Sequence, residues 1–243
     1  MSRITEIAVD DAPKDRGNLV AAAIAAIQHH IRDEGLPAGA ALPSEALFAE
    51  RCEVSRVVVR EAFRSLSALG VIDVGNGRRA RVGSIDSAML ATVIDHAVHA
   101  EQMTILQIYD VRRTLEARTT RLAALRATVA EARTISEHAA GMRCDFGNAE
   151  AVMAHDIAFH AAIAAASSNP AFALIVGAFE TVMRRTWPVG WRSRVDDAER
   201  MVSVEVHEAI ATAIATGDPE AAERAMQHHF DHSVKALVEA GVV

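Results

Sequence analysis

EVSRVVVREAFRSLSALGVIDVGNGRRARV, residues 53–82, concentrates six arginines into one helix and the hairpin after it. Ser55 stands where its hydroxyl can cap a helix by accepting from an orphan amide. Arg56, Arg60 and Arg64 then recur every four residues and lie one above another on a single face. Val59, Phe63 and Leu66 fall on another side and can pack inward. Gly70 closes the helix near Leu69. Beyond it, the β-prone stretches 71–74 and 80–82 flank Gly75-Asn76-Gly77, a hairpin signal.

Upstream, Leu19, Ile24, Ile27 and Ile31 recur at helical spacing, which predicts a helix over 15–34. The segment GLPAGAALPSE breaks it, and Ser44 caps a short second helix to Arg51. Glu53-Val54 makes the turn into the arginine helix. Helix, helix, turn, helix, hairpin is the order of a winged helix-turn-helix. A helix with arginine in its first turn suits the major groove, where a guanidinium can fork onto guanine O6 and N7. Ser44, Ser55 and the amides beside them suit phosphate. Gly77 and Arg78, with Asn76, make a wing tip able to reach phosphate or the minor groove. A solvated helix face and a basic loop are the plain alternative, but three features coincide here. The expected partner is double-stranded operator DNA.

The remainder of the chain reads differently. Of 243 residues, 51% are apolar and 4% aromatic, a balance that favours an all-helical protein. Residues 1–84 hold 11 basic and 11 acidic side chains, so the net charge of −7 resides entirely in residues 85–243. An acidic chain can therefore still present a locally positive DNA-binding domain. No apolar run approaches the roughly 18 residues of a membrane span, and the polar N-terminus has no signal-peptide core. Cys52 and Cys144 fit no disulfide or zinc-ribbon spacing. The expectation is a cytoplasmic, mostly α protein in two domains: 1–84 for DNA, and 85–243 as an antiparallel helical bundle. Helices are expected near 87–99, 103–126, 128–142, 147–166, 171–186, 195–216 and 218–239, with no strand among them.

In the bundle, Asp156 and His160 stand four apart on one helix, spaced to grip one cation. His207 and His229 lie on two helices joined by a Gly-Asp-Pro turn, which makes those helices antiparallel neighbours. Three histidines and one aspartate from three helices form a plausible divalent-metal set with open positions. Chance pairing is the alternative, since the chain has 11 histidines. His228 and His232 compete with His229, although Ala222, Ala225, Met226 and His229 share an inward-leaning face. Arg112 suits a carboxylate ligand facing the metal, or else a salt bridge to Glu116 four residues on. Arg185 and Trp187 could close a polar pocket, or Trp187 could simply pack at a helix end.

The segment LPSEALFAERCEVSRVVVREAFRSLSALGVIDVGNGRRARV resembles the DNA-binding domain of the GntR family of bacterial transcription regulators. The resemblance implies that Arg56 and Arg60 contact DNA and that Asn76-Gly77 occupies the wing tip. Many relatives carry arginine where this chain has Ala46, so one expected contact is missing. Residues from about 106 to 236 resemble the FCD effector domain of the FadR-like branch, through YDVRRTLEARTTRLAAL, DIAFHAAIAAASSNPAF and VHEAIATAIATGDPEAAERAM. That resemblance implies metal ligation by Asp156, His160, His207 and His229, with zinc ahead of nickel or manganese. It also implies a homodimer and a small carboxylate effector, with sugar acids favoured by the Arg-Thr-Trp segment. The leading reading is a ligand-responsive repressor and not an enzyme. A metalloenzyme fused to a DNA-binding domain is the second reading, and a purely structural metal the third.

Overall fold

A computed structural model describes residues 12–242, Asn76 and Ile85 excepted; the side chains of 12–16 are also outside the description. Contacts divide the chain into two compact units, Met1–Asp86 and Ser87–Val243. In the first unit α1 (Ala12–Asp33), α2 (Glu45–Arg51) and α3 (Arg56–Ala68) precede a hairpin of β1 (Ile72–Asp73) and β2 (Arg81–Val82). Both short helices begin as their sequences dictate. The Ser44 hydroxyl accepts from the Leu47 amide at 3.2 Å, and that of Ser55 from the Val58 amide at 3.4 Å.

Ile27, Val59, Phe63 and Leu66 meet in the core of this unit, with Phe48 edge-on to Phe63 at 5.7 Å. Each such side chain stabilises by about 1.5–3 kcal/mol on burial. The strands are shorter than their β-prone stretches, and β2 has bonding partners in two segments. Ile72 pairs with Val82, but segment 39–42 also lies against β2: Gly39 donates to the Val82 carbonyl and Leu42 to that of Ala80, both at 2.8 Å.

The second unit holds α4 (Ala88–His99), α5 (Ile105–Arg126), α6 (Val129–Cys144), α7 (Ala149–Ala166), α8 (Pro170–Ala178), α9 (Glu180–Ser193), α10 (Asp197–Ala215) and α11 (Pro219–Glu239). Capping explains most boundaries. Thr104 and Thr128 form capping boxes with Gln107 and Glu131, and Asn148, Asn169, Asp196 and Asp218 cap the four helices after them that begin at polar residues. One expectation fails. The single helix read over 171–186 is two helices, divided at Phe179. Gly177 lies two residues before the break, and Phe179, at the break, is buried against Ile108 and Val182. The second helix then runs through Pro188 to Ser193 instead of stopping before it, with Gly190 and Trp191 buried.

Helices α5, α6, α7, α10 and α11 pack around one core containing Phe159, Ile163, Ile210, Met226 and Phe230, while α4 lies against α8 and α9. Among the described residues no helix is long and apolar enough to cross a membrane.

Candidate nucleic-acid interface and metal centre

Arg56, Arg60 and Arg64 are all exposed on α3, opposite buried Val59, Phe63 and Leu66. A groove of about 920 Å³ is lined by Ser44, Ala46, Arg56, Arg60, Gly77 and Arg78, with Glu45 and Arg79 beside them. Arg64 is not part of that lining. Gly77 has φ +72°, a left-handed conformation that glycine adopts without steric cost. Asn76, expected at the same tip, lies outside the described residues. The two serine hydroxyls are engaged as helix caps, so what they leave for phosphate is the hydroxyl proton and the adjacent amides.

Two acids in this region were not singled out from the sequence. Arg60 Nε donates to Glu45 Oε2 at 3.2 Å, and Arg78 Nη2 to Asp73 Oδ2 at 2.7 Å. Both pairs are solvent-exposed, which limits their stabilisation to about 0–1 kcal/mol. Their effect is to orient: Glu45, in the first turn of α2, holds the guanidinium of Arg60 across the helix-turn-helix.

In the second unit α7 supplies Asp156 and His160, α10 His207 and α11 His229, and all four are buried. Ligating atoms of the three histidines lie within 4.8 Å of one another. Asp156 Oδ1 is 2.9 Å from His207 Nε2. The three histidines therefore converge, and Asp156 meets His207. His228 is exposed, and His232 instead places Nδ1 3.4 Å from Arg194 Nη2.

The rings are oriented from behind. His207 Nδ1 donates to the Ser203 carbonyl at 2.7 Å, which leaves Nε2 as the lone-pair nitrogen facing Asp156. His160 Nδ1 is 2.5 Å from Glu116 Oε2, though not aligned as a regular hydrogen bond. Neither His160 Nε2 nor His207 Nε2 has a hydrogen-bond partner, and both are buried. Two lone pairs and a carboxylate oxygen facing one another repel unless a cation or a proton lies among them. The donor set of carboxylate and imidazoles is that of a borderline divalent ion, so the residues fit one.

Burial opposes ionisation of Asp156, but the His207 contact, followed by His160 and His229, outweighs it and holds the carboxyl well below its ordinary range. Burial, followed by His207 and His160, pushes His229 well below the usual imidazole range, so its ring is neutral and available as a ligand.

Glu116 was noted in the sequence only as a possible partner of Arg112. It is buried on α5, accepts from Arg112 Nε at 2.7 Å, and joins that arginine to His160. Burial works against its ionisation, yet Arg112 and then His160 keep the carboxyl lowered. The readable signal was the spacing of Arg112, Glu116, Thr119 and Thr120, four polar residues on one buried helical stripe. Arg112 itself lies over the rings of Phe230 and Tyr109, at 5.1 and 5.4 Å, and touches Met183 Sδ.

A cavity of about 410 Å³ adjoins Asp156 and His229 and is walled by Arg112, Trp187, Arg194 and Ser203. Trp187 stacks on Trp191 at 4.9 Å. Arg185 does not reach this cavity, a correction to the sequence reading. It is exposed and turned toward α4, where Nη1 lies 3.1 Å from Asp95 Oδ1 and 3.0 Å from His99 Nδ1. On α9 the cavity face is Met183, Thr186, Trp187 and Gly190, and a helix cannot present residue 185 on that same face.

Residues 19–82 match the family described as bacterial regulatory proteins, gntR family, and residues 107–232 match the FCD domain. The protein is a GntR-family transcription regulator with an FCD domain. Curated relatives agree. The regulator is 31% identical over 224 residues to the HTH-type transcriptional repressor NanR of Enterobacter sp. (strain 638), covering 88% of this chain and 83% of that one. It is 29% identical over 204 residues to the HTH-type transcriptional regulator LutR of Bacillus subtilis (strain 168), covering 82% and 92%. The galactonate operon transcriptional repressor of Escherichia coli (strain K12) is 28% identical over 207 residues, covering 83% and 89%. A solved structure of Streptococcus agalactiae GntR superposes with a TM-score of 0.65 at 24% identity, covering 89% of the regulator and 98% of that chain, which shows the shared fold. These relatives are regulators of transcription and not enzymes, and the regulator binds DNA through its helix-turn-helix domain.

Proposed function

We propose that the regulator is a cytoplasmic, dimeric repressor of the FadR-like branch whose operator binding responds to a small organic acid. In this reading, Asp156, His160, His207 and His229 hold one divalent ion, zinc ahead of nickel or manganese. The observation that carries it is the meeting of three buried imidazoles, in which His160 Nε2 and His207 Nε2 lack hydrogen-bond partners and the latter lies 2.9 Å from Asp156 Oδ1. When bound, the ion supplies a Lewis-acid centre with positions open to ligand oxygens. Arg112, fixed by Glu116, and Trp187 then bound the cavity in which the acid is held, while Arg185 has no place in it.

At the DNA, Arg56, Arg60 and Arg64 face the major groove, and Ser44, Ser55, Asn76, Gly77 and Arg78 contact backbone or minor groove. Two winged domains of a dimer meet two half-sites, and the acid acts by binding the DNA-competent and incompetent states with different affinity. The names of NanR and the galactonate operon repressor support repression, and the second of them supports a sugar-acid effector class.

The test is a footprint on the region upstream of the regulator's own coding sequence, with and without a panel of hydroxy-acids, using metal-loaded and chelated protein. An acid that releases the footprint only from loaded protein is the expected result. A footprint indifferent to every acid would leave the ion a structural role alone. Elemental analysis of wild type against His207→Ala completes the test: equal metal content would remove His207 from the site.

A further inference from the structure

Arg194 is the residue the reading above leaves unused. It follows α9, is 9% exposed, and lines the 410 Å³ cavity with Asp156 and His229. Its guanidinium has no acidic partner at ion-pair distance among the described residues. Nη1 donates to the Gly190 carbonyl at 2.7 Å, Nη2 lies 3.4 Å from His232 Nδ1, and Nε has no partner at all. His232 cannot neutralise it, since an imidazole is either neutral or cationic. Arg112, the other buried cation at this cavity, is already engaged with Glu116. Guanidinium groups do not deprotonate in proteins, so Arg194 is a buried positive charge with an idle donor facing a polar cavity.

The charges at the cavity indicate what would satisfy it. Arg112 and Glu116 cancel. A divalent ion on Asp156 and neutral histidines leaves one positive charge at that end, and Arg194 adds another. Ser203, Ser233 and Thr186 also line the cavity and bring hydroxyl groups to it, that of Thr186 donating to the Val182 carbonyl.

We infer that Arg194 receives a second oxyanion of the effector, so that the cavity selects hydroxylated dicarboxylates over the corresponding monocarboxylates. This rests on the effector reading of the same cavity and narrows its ligand class. Nε and a neighbouring Nη present the side-on fork that matches both oxygens of a carboxylate. The far carboxylate lies toward the metal ligands, and the hydroxyls of the carbon chain meet the serines and the threonine.

The experiment is calorimetric titration of metal-loaded, full-length protein with two matched pairs: tartrate against threonate, and galactarate against galactonate. In wild type the diacid of at least one pair binds more tightly by on the order of 10-fold to 100-fold, the range of a charge-assisted pair. Arg194→Gln abolishes that preference by weakening the diacid while the monoacid moves about twofold or less, and metal content stays at the wild-type value. Arg194→Lys, which keeps the charge but loses the fork, restores part of the preference and serves as the second variant if the glutamine form is poorly folded. Monoacids binding as tightly as diacids in wild type would overturn the assignment and leave the effector reading standing. So would a glutamine variant that retains the diacid preference. If no acid of either class binds the loaded wild type, the effector reading falls together with this one.

Discussion

Glu116→Gln tests how the buried polar stripe of α5 supports the metal centre. Glu116 accepts from Arg112 Nε at 2.7 Å through one oxygen and faces His160 Nδ1 at 2.5 Å through the other, and all three side chains are buried. Glutamine keeps the shape and one acceptor for Arg112 but removes the charge. Breaking a buried pair outright costs about 3–5 kcal/mol. Retaining a neutral acceptor leaves the loss of a charged hydrogen bond, about 1.5–3 kcal/mol. At about 2–4 °C per kcal/mol for a domain of this size, the unit should melt roughly 3–12 °C lower. The second consequence is specific to the centre. A carboxylate behind a ligating imidazole fixes the ring and raises its basicity, and removing such a partner weakens metal binding by about 10-fold to 100-fold. Thermal melting with and without chelator, and competition titration against a zinc indicator, measure the two effects. A variant that melts lower but binds metal with wild-type affinity would refute the orienting role of Glu116 and leave it a fold-stabilising residue.

Arg56→Ala should leave thermal stability unchanged, since the side chain is exposed, and should lose about 1–3 kcal/mol of discrimination between operator and scrambled duplex in fluorescence anisotropy. Glu45→Ala removes the acid that holds Arg60; stability should change by less than about 1 kcal/mol, while affinity for non-specific duplex rises as a negative charge leaves the DNA face, and an unchanged affinity would count against Glu45 lying there. Phe159→Ala empties a fully buried site beside His207 and should cost about 3–5 kcal/mol in urea unfolding, together with a loss of bound metal.

Much of the first unit was legible because its determinants are local. Ser44 and Ser55 cap, the arginine stripe opposes Val59, Phe63 and Leu66, and the glycines mark the wing; none of this depends on distant parts of the chain. The clustering of His160, His207 and His229, with Asp156 beside His207, was legible for a different reason. The spacing of Asp156 and His160 is helical arithmetic, and the Gly-Asp-Pro turn brings α10 beside α11. What stayed hidden was decided by burial. The helix divides at buried Phe179, where the sequence offers only Gly177 as a signal, and α9 passes through Pro188 to a far end at which Gly190 and Trp191 are buried. Arg185 was singled out in the sequence for its place beside Trp187, and Arg194 was not. One turns to Asp95 at the surface and the other into the cavity.

By itself, the sequence determined the order of the elements, the cationic face of α3 and the four residues able to share one cation, since capping, periodicity and i,i+4 spacing act within a few residues. Only the tertiary structure decided which charges are neutralised and which are not. Pairing depends on which helix faces meet, and in a buried site an uncompensated guanidinium or imidazole lone pair, too costly to leave without a partner, is the feature that marks a place for a ligand.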